Sequence, residues 1–365
     1  MNSKERVQAA LRRQPVDRVP IFMWFHPETT AWLARWLELP PADVGEAFGN
    51  DIRQAWVSNN YAMEGIVHAR DGDGHTDAWG IRWVKSGPFN QIVHSPLAAA
   101  DRAKALAYEY PYDQFDALLA NMEPVVNGAD RFFVGCDVSP CLFEMLCRVR
   151  GMEQTLTDLA ADRPLADEML RRAARFALTL EREACGRFPL DMLWTGDDVG
   201  GQQGMVMSPR TWRELIKPHL ARILAVGKAR GLWVAYHSCG AIRPILADLV
   251  EIGLDILNPI QCNCPGMEPA SLKREFGARL TFMGGVDTQQ LLPRGTPSAV
   301  REATQALIDA LTSDGGGYVL AASHTVPPET PLANILAMYE AAGLSEEQIR
   351  DQAGDIRRRH TAGAH

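Results

Sequence analysis

His237 and Cys239 stand one residue apart at the end of an apolar run, Gly231-Leu-Trp-Val-Ala-Tyr-His-Ser-Cys-Gly240. An imidazole and a thiolate presented together suit a borderline-soft cation, of which zinc is the usual one. Leu232 to Tyr236 is rich in aromatic and β-branched residues and reads as a buried strand, although length alone does not exclude a helix segment. On a strand, side chains alternate between faces, so both groups point to one side. For His-x-Cys alone the bland alternative is a buried histidine beside an inert cysteine. A third candidate ligand, His324, follows another strand-like run, Tyr318 to Ala322. Three N/S ligands leave the fourth zinc position open, as in a catalytic site. Such a metal favours the thiolate form of a bound thiol and can activate a bound water. The alternative for His324 is a cap or hydrogen bond within the loop before Pro327-Pro328.

Other polar groups cluster after strand-like runs. Thr195-Gly-Asp197-Asp198-Val-Gly-Gly-Gln202 follows Met192, and Gly284-Gly285-Val-Asp287-Thr-Gln289 follows Leu280. Gly135-Cys136-Asp137-Val-Ser139-Pro140 follows Phe132. Each alone is compatible with a turn or a helix cap. Gathered at the C-terminal rim of a parallel barrel, they would make a site. Asp197, Asp198 and Asp287 are then candidates to orient substrate or the groups around it, and Glu144 is a general-acid candidate. Gly284, Gly285 and Gln202 are the expected cofactor-binding positions.

The elements that must carry these groups alternate. Strand candidates are Phe132 to Cys136, Met192 to Thr195, Leu232 to Tyr236, Ile256 to Ile260, Leu280 to Met283 and Tyr318 to Ala322. Helical segments separate them, among them 152–159, 164–187, 210–230, 242–251, 270–276 and 299–312. That alternation predicts parallel βαβ units. Ile21 to Phe25 adds a seventh strand and Ile52 to Trp56 a weakly marked eighth. The expected fold is therefore an α/β (β/α)8 TIM barrel with an N-terminal helical and β-hairpin extension, with a doubly wound open sheet as the other arrangement. Residues 1–365 read as a single domain, comprising an N-terminal part (1–125), regular βα units (126–345) and a C-terminal tail (346–365). Residues 64–95, with Ile66 to Arg70, Gly80 to Lys85 and Asn90 to His94 alternating apolar and polar, read as an antiparallel hairpin excursion.

The 365 residues carry a net charge of −8 with both signs interspersed, which argues against a nucleic-acid partner or an anionic membrane surface. No run approaches the roughly 18 apolar residues of a membrane span, and the N-terminus has no signal-peptide core, so the cytoplasm is the expected location. Seven cysteines in no framework spacing predict reduced thiols. Cys262-Asn-Cys264 is only a weak candidate for a second metal pair. No Gly-x-Gly-x-x-Gly follows a strand, and there is neither a Walker loop nor a Gly-x-Ser-x-Gly elbow. Trp24, His26, His75, Trp79 and Trp194 could wall a pocket for a flat ligand, with core packing the commoner fate.

Pro15-Val-Asp-Arg-Val-Pro20, Asp77-Ala-Trp-Gly80, His237-Ser-Cys-Gly240, Phe282-Met-Gly-Gly-Val-Asp287 and His324-Thr-Val-Pro-Pro-Glu-Thr-Pro-Leu-Ala-Asn-Ile335 resemble, in collinear order, the uroporphyrinogen decarboxylase superfamily. The resemblance implies a (β/α)8 barrel with its site at the C-terminal strand ends. The haem-pathway decarboxylase carries an Arg-Gln-Ala-Gly-Arg-Tyr element after its first strand, whose arginines clamp porphyrin carboxylates. Here Met23-Trp-Phe-His-Pro-Glu28 stands in that place. Each lost charge-assisted hydrogen bond would forfeit about 1.5–3 kcal/mol. The chain is more similar to the methylcobamide:coenzyme M methyltransferase branch, which holds zinc with His-x-Cys after the fifth strand and a cysteine after the eighth. His237 and Cys239 match the first two ligands, and His324 stands where the third would be.

That resemblance implies a zinc-dependent methyltransferase acting between a small O-, S- or N-methyl substrate or thiol and a corrinoid (cobalamin). The corrinoid would be bound directly or carried on a partner protein, and a homodimer is compatible with this reading. The rivals are a metal-independent decarboxylase of a small carboxylated substrate and a corrinoid- or tetrapyrrole-binding module without catalysis.

Overall fold

The computed structural model describes residues 1–58 and 68–362. Seven strands form one sheet: β1 (Ile52–Trp56), β5 (Phe133–Asp137), β6 (Met192–Gly196), β7 (Trp233–His237), β8 (Ile256–Ile260), β9 (Thr281–Val286) and β10 (Tyr318–Ala322), adjacent in that order. Every residue of β5, β6, β8 and β10 is buried, as parallel strands covered on both faces must be. This is a TIM-barrel-like α/β fold. β2 (Gly74–Thr76), β3 (Arg82–Ser86) and β4 (Phe89–His94) make a separate antiparallel sheet.

The chain divides into two compact units. One comprises Met1–Arg53, Asp130–Phe133 and Leu257–His365; the other comprises Gln54–Ala129 and Val134–Ile256. In the first, β9 and β10 pair in parallel from Phe282 beside Tyr318 to Val286 beside Ala322. The expected strand at Ile21 to Phe25 is not a regular strand. Among the described residues it makes one parallel bridge to β10, Ile21 with Leu320, and one to the loop after it, Phe25 with Val326. On its other side, Asp51 N–H donates to Ile21 O at 2.8 Å. The segment thus runs alongside β10 and just ahead of β1 without a continuous ladder. Met23 N–H donates to the Asn50 side chain rather than to a strand partner, one reason the ladder is broken.

The Pro15–Pro20 motif has a structural role in this unit. Asp51 is fully buried and receives Arg6 at 2.7 Å and Arg18 at 2.8 Å. Arg6 also holds Asp17 at 2.6 Å, and that hydrogen bond pulls the Asp17 carboxyl well below its usual range. The segment expected as a tail contains a helix, Glu346–Ala362.

In the second unit, β6 lies parallel to both β5 and β7. The long helix Arg163–Arg187 begins at Asp162, whose side chain accepts from Leu165 N–H, with a proline in the first turn. The hairpin excursion is present as β2–β4, joined by a two-residue Gly87-Pro88 turn in which Gly87 takes φ +61°. Of the expected strand Ile66 to Arg70, residues 66 and 67 lie outside the described residues and 68–70 form no strand. Asp77 organises the next turn, accepting from Trp79 N–H, Ile81 N–H and the Trp83 indole at 2.7–2.9 Å. The expected helix 210–230 is interrupted by a π turn, Trp212–Ile216, ahead of Lys217–Lys228. Pro218 has no N–H to give Glu214 O, so the ladder widens there.

Trp79 and Trp194 are buried in the core. None of the seven cysteines is in a disulfide. No helix among the described residues is long and apolar enough to cross a membrane.

Candidate active site

β7 ends on His237, and the chain then turns through Ser238-Cys239-Gly240. Register sets His237 beside Gly196, the last residue of β6. That neighbour has to be small, because a Cβ on Gly196 would sit 2.8 Å from His237 Cβ. The loop after β6 folds back onto the loop after β7. Cys239 N–H donates to Asp198 Oδ1 at 2.8 Å, and Ala241 N–H to Gly201 O at 2.9 Å. Two glycines permit this approach: a Cβ on Gly200 would lie 2.4 Å from Cys239 O, and one on Gly240, at φ +82°, would lie 2.6 Å from Gly200 C.

The result is a cluster of three donor types. One ligand atom each from Asp198, His237 and Cys239 lies within 4.8 Å of the others. His237 Nε2 is 3.6 Å from Cys239 Sγ and 3.6 Å from Asp198 Oδ1. All three are partly exposed, so the cluster is reachable from solvent. A nitrogen, a thiolate sulfur and a carboxylate oxygen are the donors zinc takes in proteins, and the spacing lets modest side-chain rotation bring them to bonding distance. The residues therefore fit that metal. Sequence reasoning named His237 and Cys239 as ligands but gave Asp198 an orienting role. The structure brings Asp198 into the same cluster.

Asp197 points the other way. It is fully buried, and its Oδ1 accepts from Leu142 N–H and Glu144 N–H, both at 2.9 Å, at the start of the helix Phe143–Arg150. The Cys141 thiol stands 3.5 Å from its other oxygen. Burial pushes the Asp197 carboxyl up to about 8, against the pull of those two N–H groups. Asp197 thus fixes where the helix bearing Glu144 begins. Glu144 pairs with Arg148 at 2.6 Å, and the Arg148 guanidinium lies over the Trp83 ring at 5.6 Å. Asp137, at the end of β5, accepts from Gln54 Nε2 at 2.9 Å and Ser139 N–H at 2.8 Å. Burial lifts it to about 7. Asp137 and Arg148 were not singled out in the sequence; the only signal for Asp137 was its place at a strand end.

The remaining sequence candidates sit as follows. Gln202 is exposed on the loop after Gly201. In the other unit, Gly284 and Gly285 take φ +111° and +109° within β9. A Cβ on Gly284 would lie 2.8 Å from Ile260 N, and one on Gly285 would lie 2.7 Å from Leu307. Asp287 closes the following turn, accepting from Gln289 N–H at 2.8 Å and from Gln290 and Leu291 N–H at 3.2 Å. His324 is exposed after β10, next to buried Ser323.

Against known proteins, residues 138–343 match the family model described as Uroporphyrinogen decarboxylase (URO-D), over more than half of the chain. The chain belongs to the uroporphyrinogen decarboxylase family. A search of curated proteins finds no match to this URO-D family chain. Among solved structures it is similar to a methyltransferase from Methanosarcina mazei, with TM-score 0.70 and 18% identity, covering 94% of this chain and 98% of that one. At that identity the likeness shows the fold. An exo-beta-1,4-mannosidase, Op5Man5, from Opitutaceae bacterium strain TAV5 aligns over 93% of this chain and 59% of its own, with 12% identity and TM-score 0.45.

Proposed function

We propose that this URO-D family chain is a zinc-dependent methyltransferase that moves a methyl group between a small substrate and a corrinoid, the latter bound as a substrate or delivered on a partner protein. The supporting observation is the Asp198, His237 and Cys239 donor set, within 4.8 Å and partly exposed at the strand ends. Bound there, zinc would supply Lewis acidity, holding a thiol as thiolate or polarising an ether oxygen.

The chain's own residues do the rest. Asp198 fixes the Cys239 backbone through its N–H while presenting its carboxylate to His237. Asp197 and the first turn of its helix hold Glu144, and Arg148 orients the Glu144 carboxylate. Asp137, whose carboxyl burial raises in the absence of metal, is assigned proton delivery to a leaving oxygen or nitrogen. Gln202, on the loop after β6, is assigned to substrate and corrinoid binding, while Gly284 and Gly285 shape β9 and Asp287 closes the turn after it.

The test is metal analysis of the purified chain together with methyl transfer to cob(I)alamin from a panel of methyl donors, followed by its absorbance. About one equivalent of zinc is expected. His237→Ala and Cys239→Ser should lose most of the metal and the activity. His324→Ala separately tests whether that residue is also a ligand, as its sequence position implies. Turnover that survives complete chelation, with release of carbon dioxide from a carboxylated substrate, would replace this reading with the decarboxylase.

A further inference from the structure

The second unit contains another feature, outside every residue assigned above. The segment Tyr108 to Tyr112 and the helix Arg163–Arg187 enclose a cleft of about 280 Å³, lined by Tyr108, Tyr110, Tyr112, Arg171, Arg172 and Arg175. Arg171 and Arg175 are one helical turn apart and share a face. Two of the three guanidinium groups are committed. Arg171 makes a paired contact with Glu168 at 2.7 and 2.6 Å. Arg172 reaches Glu168 at 3.3 Å and donates to Tyr108 O at 2.6 Å. Among the described residues, the Arg175 guanidinium has no hydrogen-bond or ion-pair partner. Glu109 also lines the cleft. The lining itself holds three guanidinium groups and one acidic side chain, and Glu168, outside the lining, pairs with Arg171 and Arg172 but not with Arg175.

The aromatic wall is rooted in the core rather than loose on the surface. Tyr108 OH donates to Trp79 O at 2.9 Å, and Tyr110 is buried against Phe176 at 5.4 Å between ring centroids. Tyr112 packs edge-on against the same Phe176 at 5.3 Å, yet 37% of it stays exposed toward solvent. A preformed cleft with one rigid aromatic wall and an excess guanidinium matches a ligand with a flat body and an anionic end.

We infer that this cleft binds a small phosphate ester, its phosphate at Arg175 and at the Arg171 Nη1 that Glu168 leaves unused, and its ring or apolar body against Tyr112. Phosphate is favoured over carboxylate because its three acceptor oxygens can serve two guanidinium groups at once. The cleft lies near the lower end of ligand-pocket size, roughly 300 Å³, which suits a monoester of one ring better than a dinucleotide.

The test is isothermal titration of the full-length chain at low ionic strength with inorganic phosphate and, separately, phenyl phosphate. Phenyl phosphate is expected to bind more tightly than inorganic phosphate, and added salt to weaken both. Arg175→Gln should weaken phenyl phosphate by about tenfold or more, the loss of a charge-assisted hydrogen bond. That side chain is exposed, so the variant should keep its fold, which circular dichroism checks. Arg210→Gln, an exposed arginine outside the cleft, should bind as the parent does. Absence of binding, or unchanged binding in folded Arg175→Gln, overturns the site. Equal affinity for the two ligands overturns the role of the aromatic wall and with it the assignment to an ester.

Discussion

Replacing Asp197 with asparagine should flatten the pH dependence of stability, and the structure sets the size of the effect. Burial raises this carboxyl from the usual 3.8 to about 8. Between those values the folded chain holds a proton that the unfolded chain has released. The stability contributed by that proton is complete below about pH 4 and is lost as pH rises through about 8. One such group gives a slope of at most about 1.4 kcal/mol per pH unit, so about 4 kcal/mol accrues between pH 5 and pH 8. Asp137, raised to about 7, adds a slope of the same sign that ends earlier, so the parent should lose stability faster below pH 7 than above it. Asp197→Asn keeps an oxygen to accept from Leu142 and Glu144 N–H but cannot ionise. Urea unfolding of chelator-treated protein at pH 5, 6, 7 and 8 reads the difference. The variant should gain on the parent steadily with pH, beyond any constant offset from its amide facing the Cys141 thiol. A parent-minus-variant difference independent of pH would show that Asp197 does not carry the proton, and the reasoning would fail.

Three further outcomes follow from named contacts. Gly200→Ala would force a Cβ to within 2.4 Å of Cys239 O, so about 1–3 kcal/mol of stability should be lost by overpacking and zinc content should fall with it; thermal unfolding and metal analysis report the two. Asp51→Ala strands Arg6 and Arg18 beside a buried gap and should cost about 3–5 kcal/mol in urea unfolding, while metal content per folded chain is unchanged. Uroporphyrinogen should not be converted to coproporphyrinogen at a meaningful rate, since residues 23–28 supply no arginine; chromatographic detection of efficient conversion would contradict this.

The fold was legible where burial is two-sided. β5, β6, β8 and β10 are buried along their whole length, so their apolar runs announce them without any alternation. Ile21 to Phe25 carries the same apolar signal but only two bridges, because composition reports burial and not whether the backbone pairs. The motifs at Pro15–Pro20 and Asp77–Gly80 were readable as patterns, yet their physical content is local. One anchors a buried ion-pair network, and the other folds a turn around a single carboxylate.

The site was legible only in part, for a reason visible in its two adjacent aspartates. His237 and Cys239 could be paired from sequence because a strand's period of two puts them on one side. No periodicity relates Asp198 to Cys239, 41 residues later; their contact exists because Gly200 and Gly240 let two loops approach backbone to backbone. Asp197 and Asp198 are indistinguishable by type, and the sequence gives both the same role. The fold separates them by direction. Asp197 turns into the core to fix the start of the Glu144 helix, and Asp198 turns outward beside His237 and Cys239. Because the two are joined by one peptide bond, a shift at the helix start would be transmitted directly to a candidate metal ligand. A substitution at Asp197 should therefore disturb metal affinity as well as stability, although its side chain lies on the side of the chain away from the cluster.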